Sequence, residues 1–183
     1  EAGRGALAGP VSAGAVVLPQ DLPDLFERLE GVQDSKVMTP EARDQWAAEI
    51  KAVAVSWAVG FASSTEIDQI GIVPATCLAA YRALEKLTVD IEHILVDYIT
   101  LPDVTVSQTP LIKGDARSLS IAAAAILAKT TRDALLVKMD GDFPGYNLAS
   151  NKGYCTNEHC VAIRKLGPCK EHRHTFSPVS EFF

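Results

Sequence analysis

The sequence predicts an α/β protein in which β-strands and helices alternate along the chain. With 183 residues, 48% of them hydrophobic, the chain suits one domain that buries a core without disulfides or metal. Apolar, β-branched segments alternate with amphipathic segments that begin with helix-capping residues, and this order is typical of α/β folds. We therefore expect residues 1–183 to form a single domain.

The first half contains the clearest elements. Residues 11–18 are apolar and β-branched and lie between two prolines, which predicts a buried strand. Thr39 followed by Pro40 predicts the start of a helix that continues to about residue 56. Further along, the patterns predict a strand over 57–62, a short helix capped by Ser64 or Thr65, a helix over 74–87, and a strand over 91–96 that ends at Asp97.

The second half is richer in helix. Residues 105–112 include Pro110 and predict an edge strand. Residues 118–139 predict a buried helix whose alanine run at 122–125 lets another backbone pack closely against it. Turn residues follow at 143–146, and residues 157–166 predict the last helix.

Composition restricts the possible partners and location. No apolar run approaches the ~18 residues of a membrane span, and no segment resembles a secretory leader, so we expect a cytoplasmic protein without a membrane partner. The net charge is −6, but residues 1–103 carry sixteen acids against seven bases, whereas residues 104–183 carry seven acids against ten bases. This asymmetry fits either a surface that faces a polyanion or a solvated helix face with scattered lysines.

Cysteine and histidine residues near the end of the chain allow a second hypothesis. We expect the four cysteines to be free thiols, because they do not make a disulfide framework in a chain of this size. A zinc module is the alternative, although the spacing matches no usual zinc-ligand pairing. Its candidate ligands are Cys155, His159, Cys160, Cys169, His172 and His174.

Three acids occupy positions where an α/β protein collects them. Glu1 precedes the first strand, Asp97 follows a later strand at the sheet edge where such folds bind ligands, and Asp115 precedes a helix. Carboxylates brought together repel one another unless a hard divalent cation lies between them. We therefore expect Mg²⁺ or Mn²⁺ at these acids, where two such ions can hydrolyse a phosphodiester without a side-chain nucleophile.

The start of the chain predicts a phosphate-binding loop. In Gly3-Arg4-Gly5 the glycines let the backbone approach a ligand closely, and the arginine offers donors that suit phosphate. Glycines beside a strand also mark ordinary turns, so the run alone leaves both interpretations open.

Eight blocks of sequence, in order, resemble bacterial ribonuclease HII, the type 2 ribonuclease H family. The likeness covers nearly the whole chain and implies a ribonuclease-H-like mixed β-sheet flanked by helices, with a truncated first strand and a C-terminal helical segment over about 143–183. The blocks are Glu1 to Gly5 with Ala8 to Val11, Asp34-Ser35-Lys36, Leu95-Val96-Asp97, Lys113-Gly114-Asp115, Ile121 to Lys129 with Arg132-Asp133, Phe143 to Tyr146, Lys152-Gly153-Tyr154 with Thr156 and His159, and Gly167-Pro168 with His172-Arg173 and Phe176.

The resemblance implies an endoribonuclease that hydrolyses the RNA strand of RNA–DNA hybrids. It also implies cleavage 5′ of single ribonucleotides in duplex DNA by two metal ions, giving 3′-hydroxyl and 5′-phosphate ends. The family's four metal-binding acids begin with an Asp-Glu pair, and this sequence supplies Glu1, Asp97 and Asp115. A hybrid-binding fragment with impaired catalysis is therefore the alternative, and we expect a monomer in either case.

The resemblance also assigns substrate contacts. It implies that the backbone of Gly3, Arg4 and Gly5 contacts a ribose 2′-hydroxyl, that Tyr154 stacks on the next deoxyribose, and that Lys36 binds a phosphate. Lys152, His172 and Arg173 are the other substrate-binding residues that it implies. The sequence departs from the family's usual residue at four positions: Tyr98 and Asn147 replace glycine, Ala125 replaces serine and Asn151 replaces histidine.

Overall fold

The computed structural model describes residues 1–32, 35 and 37–183. Four strands and seven α-helices alternate along this part of the chain, and two short 3₁₀ helices lie at Gly114–Ala116 and Val179–Phe182. The strands are β1 (Val11–Val17), β2 (Ser56–Ala62), β3 (His93–Asp97) and β4 (Ser107–Leu111). The helices are α1 (Leu25–Arg28), α2 (Pro40–Val53), α3 (Ser64–Ile70), α4 (Ile72–Leu84), α5 (Leu119–Asp142), α6 (Leu148–Asn151) and α7 (Asn157–Leu166).

The strands pair in both orientations, as expected for a mixed α/β fold. β1 and β2 are antiparallel, with Val11 opposite Ala62, whereas β3 and β4 are parallel, with His93 opposite Ser107. Ala2 adds an antiparallel bridge to Ser12 at the start of β1. The α/β class is confirmed, but the four strands described here form two separate two-stranded sheets rather than one.

Capping chemistry determines where several helices begin. Ser118 and Thr156 accept hydrogen bonds from the backbone of the first turns of α5 and α7, and both helices start where the sequence predicts. α3 differs, because its cap is Ser63 rather than Ser64 or Thr65. The Ser63 hydroxyl accepts from the Glu66 amide, and the Glu66 carboxylate accepts from the Ser63 amide, which forms a capping box.

Helix α5 is the central element of the core. Its first half packs against α2 and β1 around Ile126 and Leu127, which are fully buried. A Cβ atom on Gly14 of β1 would lie 2.1 Å from the carbonyl oxygen of Ala124, so only glycine permits this close approach. The predicted close packing on the alanine run is therefore confirmed.

The second half of α5 packs against the start and the end of the chain. Leu136 of α5 joins Leu7 from the N-terminal loop, and the cluster also includes Tyr146, Ile163 and Val179 from the C-terminal segment. Residues 3–10 therefore lie between α5 and the C-terminal helical region. None of the helices in the described residues is long and apolar enough to cross a membrane.

Candidate active site

Residues 3–10, termed the N-terminal loop below, are held by a buried arginine of α5. Arg132 is fully buried and donates hydrogen bonds to the carbonyl oxygens of Pro10 (2.8 Å), Ala8 (3.1 Å) and Lys152 (2.9 Å). A Cβ atom on Gly3, whose φ is +88°, would lie 2.1 Å from Nε of Arg132. The first glycine of the loop is therefore required both by its backbone conformation and by this contact.

A second buried arginine holds the same loop from the C-terminal segment. The guanidinium of Arg173 donates to the carbonyl oxygens of Gly3 (2.7 Å), Arg4 (2.9 Å) and Gly9 (3.0 and 2.9 Å). Burial, together with the nearby charge of Arg132, lowers the pKa of Arg173 to about 9. Neither arginine forms an ion pair with a described carboxylate, so backbone carbonyls are their main partners.

The amide groups at the start of the loop differ from the carbonyls that the arginines hold. No hydrogen bond joins the amide N–H of Gly3, Arg4 or Gly5 to another described residue. These residues line a surface cavity of about 540 Å³ together with Glu1, Ala2, Ser35, Ile72, Lys129, Tyr154 and Phe176. Consecutive unpaired amides in a concavity form a site that suits an anion or a hydroxyl oxygen.

Tyr154 lines the same cavity beside the loop and is partly exposed. It forms an antiparallel bridge with Ala6, and its amide donates to the carbonyl of Asn151 (2.9 Å). The ammonium of Lys129 lies 5.1 Å from the ring centroid, and the Arg132 guanidinium lies 5.4 Å from it. These cations stabilise the ring through cation–π attraction and hold it beside the loop.

The three candidate acids lie at two places. Glu1 lines the cavity, and its carboxylate is 3.9 Å from the Arg4 guanidinium. Asp97 ends β3 and accepts a hydrogen bond from the amide of Gly114 (2.9 Å), the residue before Asp115. Asp97 and Asp115 are thus neighbours, and both are partly exposed.

These acids offer the hard oxygen donors that Mg²⁺ and Mn²⁺ prefer. However, the described residues contain no group of three or more His, Cys, Asp or Glu side chains close enough to hold a metal ion. The donor chemistry therefore fits a divalent cation, whereas the expected cluster of Glu1, Asp97 and Asp115 is not assembled in this structure.

Two of the expected substrate contacts are interior residues. His172 and Arg173 have exposed fractions of 1% and 0%. Their side chains bond within the protein, and Arg173 shapes the N-terminal loop. Direct contact of either residue with substrate stays a prediction. Lys152 is half-buried and its ammonium bonds the carbonyl of Ala149, while Lys36 lies outside the described residues.

The cysteine and histidine side chains do not form the alternative zinc site. Within the described part of the chain they contact one another as one pair and one row of three rather than as a four-ligand cluster. Sγ of Cys155 lies 3.2 Å from Sγ of Cys160, and Sγ of Cys169 lies 3.1 Å from Nδ1 of His172. All four cysteines are free thiols, as expected.

The structure accounts for Asn147 and Asn151, places Tyr98 under strain, and offers no explanation for Ala125. Tyr98 and Asn147, which replace glycines, have φ values of +67° and +56°, the left-handed region that glycine favours. Asn tolerates this region well, whereas Tyr98 is strained there and remains 70% exposed. Asn151, which replaces histidine, is buried and bridges the carbonyl of Tyr146 and the amide of Gly153 with its side-chain amide.

Several cavity residues were not singled out from the sequence. Lys129 and Phe176 lie in family blocks, whereas Ile72 precedes the helix predicted over 74–87 and had no signal in the sequence. Lys129 and Asp133 are four residues apart on a predicted helix, a spacing at which opposite charges pair. In the structure Nζ of Lys129 lies 2.8 Å from Oδ1 of Asp133, and this ion pair orients the lysine. The position of Phe176 depends on long-range packing and could not be predicted locally.

Comparison with known proteins identifies the family. The ribonuclease HII family profile matches residues 1–179. Ribonuclease HII of Moorella thermoacetica is 51% identical over 176 residues, which are 96% of this chain and 83% of that protein. Ribonuclease HII of Anaeromyxobacter sp. is 49% identical over 181 residues, which are 99% of this chain but 56% of that longer protein.

Solved structures share the fold. Ribonuclease H2 from Pyrococcus horikoshii OT3 matches with a TM-score of 0.78 at 23% identity, over 100% of this chain and 93% of that one. Bst-RNase HIII in complex with Mn²⁺ matches with a TM-score of 0.69 at 18% identity, over 99% of this chain and 66% of that one. The expected ribonuclease-H-like fold is thus confirmed, and the chain belongs to the ribonuclease HII family of ribonuclease H enzymes.

Proposed function

We propose that this ribonuclease H, besides cutting the RNA strand of RNA–DNA hybrids, cleaves duplex DNA at single ribonucleotides. The cut falls on the 5′ side of the ribonucleotide and leaves 3′-hydroxyl and 5′-phosphate ends. Membership of the ribonuclease HII family supports the hybrid activity. The geometry of the cavity supports recognition of a single ribonucleotide in duplex DNA.

The amides of Gly3, Arg4 and Gly5 have no hydrogen-bond partner among the described residues, and this is the observation that carries the proposal. The three residues line the cavity together, and the buried arginines hold the carbonyls of Gly3, Arg4 and Ala8 by hydrogen bonds. A ribose 2′-hydroxyl is the group that distinguishes RNA from DNA at one nucleotide, and amide donors can bind its oxygen. Because these donors are backbone groups held in place, little ordering is needed when substrate binds.

Tyr154 supplies the complementary contact. Its ring lines the same cavity as the loop, and the residue is partly exposed, so a sugar can reach it. A deoxyribose on the 3′ side of the ribonucleotide stacks on the ring, and a 2′-hydroxyl there is rejected sterically. Lys129 beside the ring and Lys36 add positive charge for the flanking phosphates.

Glu1, Asp97 and Asp115 are the proposed ligands of a divalent cation, Mg²⁺ or Mn²⁺. Their oxygen donors suit such ions, and a structural relative of the fold has been solved in complex with Mn²⁺. When bound, the cation supplies an activated water and neutralises charge on the phosphodiester. The chain's own contribution is to hold the ribonucleotide with the loop amides and Tyr154.

The cleavage reaction itself is the first test. Purified protein is incubated with a DNA duplex that carries one ribonucleotide and with the all-DNA duplex, each with Mg²⁺, with Mn²⁺ or with chelator. We expect cation-dependent cutting 5′ of the ribonucleotide and none in the all-DNA duplex. Binding of the ribonucleotide duplex without any cutting in either cation would instead support the hybrid-binding fragment with impaired catalysis.

Selectivity for the RNA-to-DNA junction tests the role of Tyr154. A base that stacks on an aromatic ring contributes ~1–3 kcal/mol, and the smaller face of a deoxyribose contributes about the lower end of that range. Tyr154→Ala should therefore lower cutting at a single ribonucleotide about fivefold relative to cutting within an all-RNA strand. Tyr154→Phe keeps the ring and serves as the matched control, with selectivity close to that of the natural protein. Equal losses on both substrates in the alanine variant would contradict the stacking role.

A further inference from the structure

A pair of buried histidines lies directly behind Tyr154. His159 of α7 and His172 of the C-terminal segment have exposed fractions of 0% and 1%, and their Nε2 atoms lie 3.1 Å apart. Nδ1 of His159 lies 2.9 Å from the carbonyl oxygen of Tyr154. Nδ1 of His172 lies 3.0 Å from the amide nitrogen of Cys169.

These partners determine where each proton sits. A carbonyl oxygen only accepts, so Nδ1 of His159 carries a proton and donates it to Tyr154. A backbone amide only donates, so Nδ1 of His172 is the unprotonated nitrogen and its Nε2 carries the proton. The Nε2–H of His172 then donates to the bare Nε2 of His159, and every nitrogen in the pair is satisfied when both rings are neutral.

The chain of hydrogen bonds connects Tyr154 with the N-terminal loop. One end fixes the carbonyl of Tyr154, which also accepts from the amide of Thr156 (2.9 Å). At the other end, the backbone of His172 forms an antiparallel bridge with Ala8 of the N-terminal loop. The ring of Tyr146 packs against His172 at a centroid distance of 4.8 Å.

We propose that His159 and His172 are positioning residues that set the distance between Tyr154 and the N-terminal loop, and thereby the selectivity for an RNA-to-DNA junction. This inference rests on the proposed function of Tyr154. His172 thus serves recognition from the interior. The backbone of Tyr154 has few other anchors, namely its bridge to Ala6 and the turn contacts with Asn151 and Thr156.

Asparagine and glutamine place an amide nitrogen near the Nδ1 and Nε2 positions of histidine, respectively, and provide matched variants. For His159 the essential donor is Nδ1, so His159→Asn keeps the bond to Tyr154 and His159→Gln loses it. For His172 the essential donor is Nε2, so His172→Gln keeps the bond to His159 and His172→Asn loses it. We expect junction selectivity to fall about threefold in His159→Gln and in His172→Asn, which is the magnitude typical of residues in contact. It should stay near the natural value in His159→Asn and His172→Gln.

A double-mutant cycle separates this inference from the proposed function. If the histidines act through Tyr154, His159→Gln should change selectivity in the natural background but not in the Tyr154→Ala background. A selectivity loss in Tyr154→Ala with none in His159→Gln would overturn the inference and leave the proposed function standing. No loss in Tyr154→Ala would instead overturn the proposed function.

Ring-nitrogen chemical shifts of the natural protein provide a test that does not depend on variants folding. In ¹⁵N NMR spectra at neutral pH we expect His159 to be protonated at Nδ1 and His172 at Nε2, both in the neutral state. The reverse tautomers, or a charged ring in either residue, would overturn the proposed hydrogen-bond chain.

Discussion

Replacing Arg173 by methionine should destabilise the N-terminal loop strongly. The guanidinium is fully buried and makes four hydrogen bonds to the carbonyls of Gly3, Arg4 and Gly9. Gly3 also accepts from the amide of Ala6, so two carbonyls, those of Arg4 and Gly9, lose their remaining described donors. Methionine fills much of the volume of the arginine stem but donates no hydrogen bond.

The expected loss follows from these contacts. Each buried carbonyl left without a donor costs ~1–3 kcal/mol, which gives a gross loss of about 2–6 kcal/mol for two. Removing a buried charge offsets part of this, because burial disfavours the charged guanidinium, as the pKa of about 9 indicates. We therefore expect Arg173→Met to lower the free energy of unfolding by about 3 kcal/mol.

Urea unfolding followed by circular dichroism measures this change. Arg164→Met is the matched control, because Arg164 is exposed on α7 and its replacement should alter stability by less than ~0.5 kcal/mol. Arg173→Lys keeps the charge without the planar fork and should fall between the methionine variant and the natural protein. If Arg173→Met stays within about 1 kcal/mol of the control, the reasoning that this arginine holds the loop carbonyls is refuted.

Three further predictions concern other sites. Burial, and then the adjacent His159, lower the pKa of His172 to about 4. The native state therefore binds fewer protons than the unfolded chain between pH 4 and 6.5. In urea titrations the free energy of unfolding should rise with pH by up to about 3 kcal/mol over this window. A flat profile would contradict this prediction. Burial of Asp68 opposes its ionisation, but hydrogen bonds from Thr175 and His174 outweigh this effect and lower its pKa. Asp68→Asn should therefore accelerate amide hydrogen exchange at Thr175. Unchanged exchange would argue against the contact. Tyr98→Gly should raise the free energy of unfolding by up to about 1 kcal/mol by relieving left-handed strain, and a measured loss would show that the exposed ring contributes more than the strain costs.

The regular elements were predictable because their signals are local. Thr156 and the turn residues around it fix the start of α7, and the apolar segment between Pro10 and Pro19 fixes β1. These signals depend on capping hydrogen bonds and side-chain periodicity within a few residues. The capping box of Ser63 and Glu66 is also local, and its spacing of three residues was the signal that could have placed the cap correctly.

The buried arginines that hold the N-terminal loop could not be predicted in the same way. Arg132 and Arg173 bond to carbonyls more than one hundred residues away, and such contacts leave no local pattern. For the same reason the count of bases in residues 104–183 overstated the positive surface, since two of those ten bases are interior. The resemblance located the N-terminal loop and Tyr154, but only the folded chain distinguishes residues that line the cavity from those behind it.

Amide chemical shifts of the N-terminal loop test the central claim most directly. The labelled protein is titrated, without divalent cation, with a duplex that contains one ribonucleotide and with duplexes that carry 2′-deoxy or 2′-O-methyl sugar at that position. If the loop reads the 2′-hydroxyl, the amide signals of Gly3, Arg4 and Gly5 shift strongly with the ribonucleotide duplex and much less with the other two. Equal shifts with all three duplexes would contradict the claim, because the loop would then be contacting nucleic acid without reading the sugar.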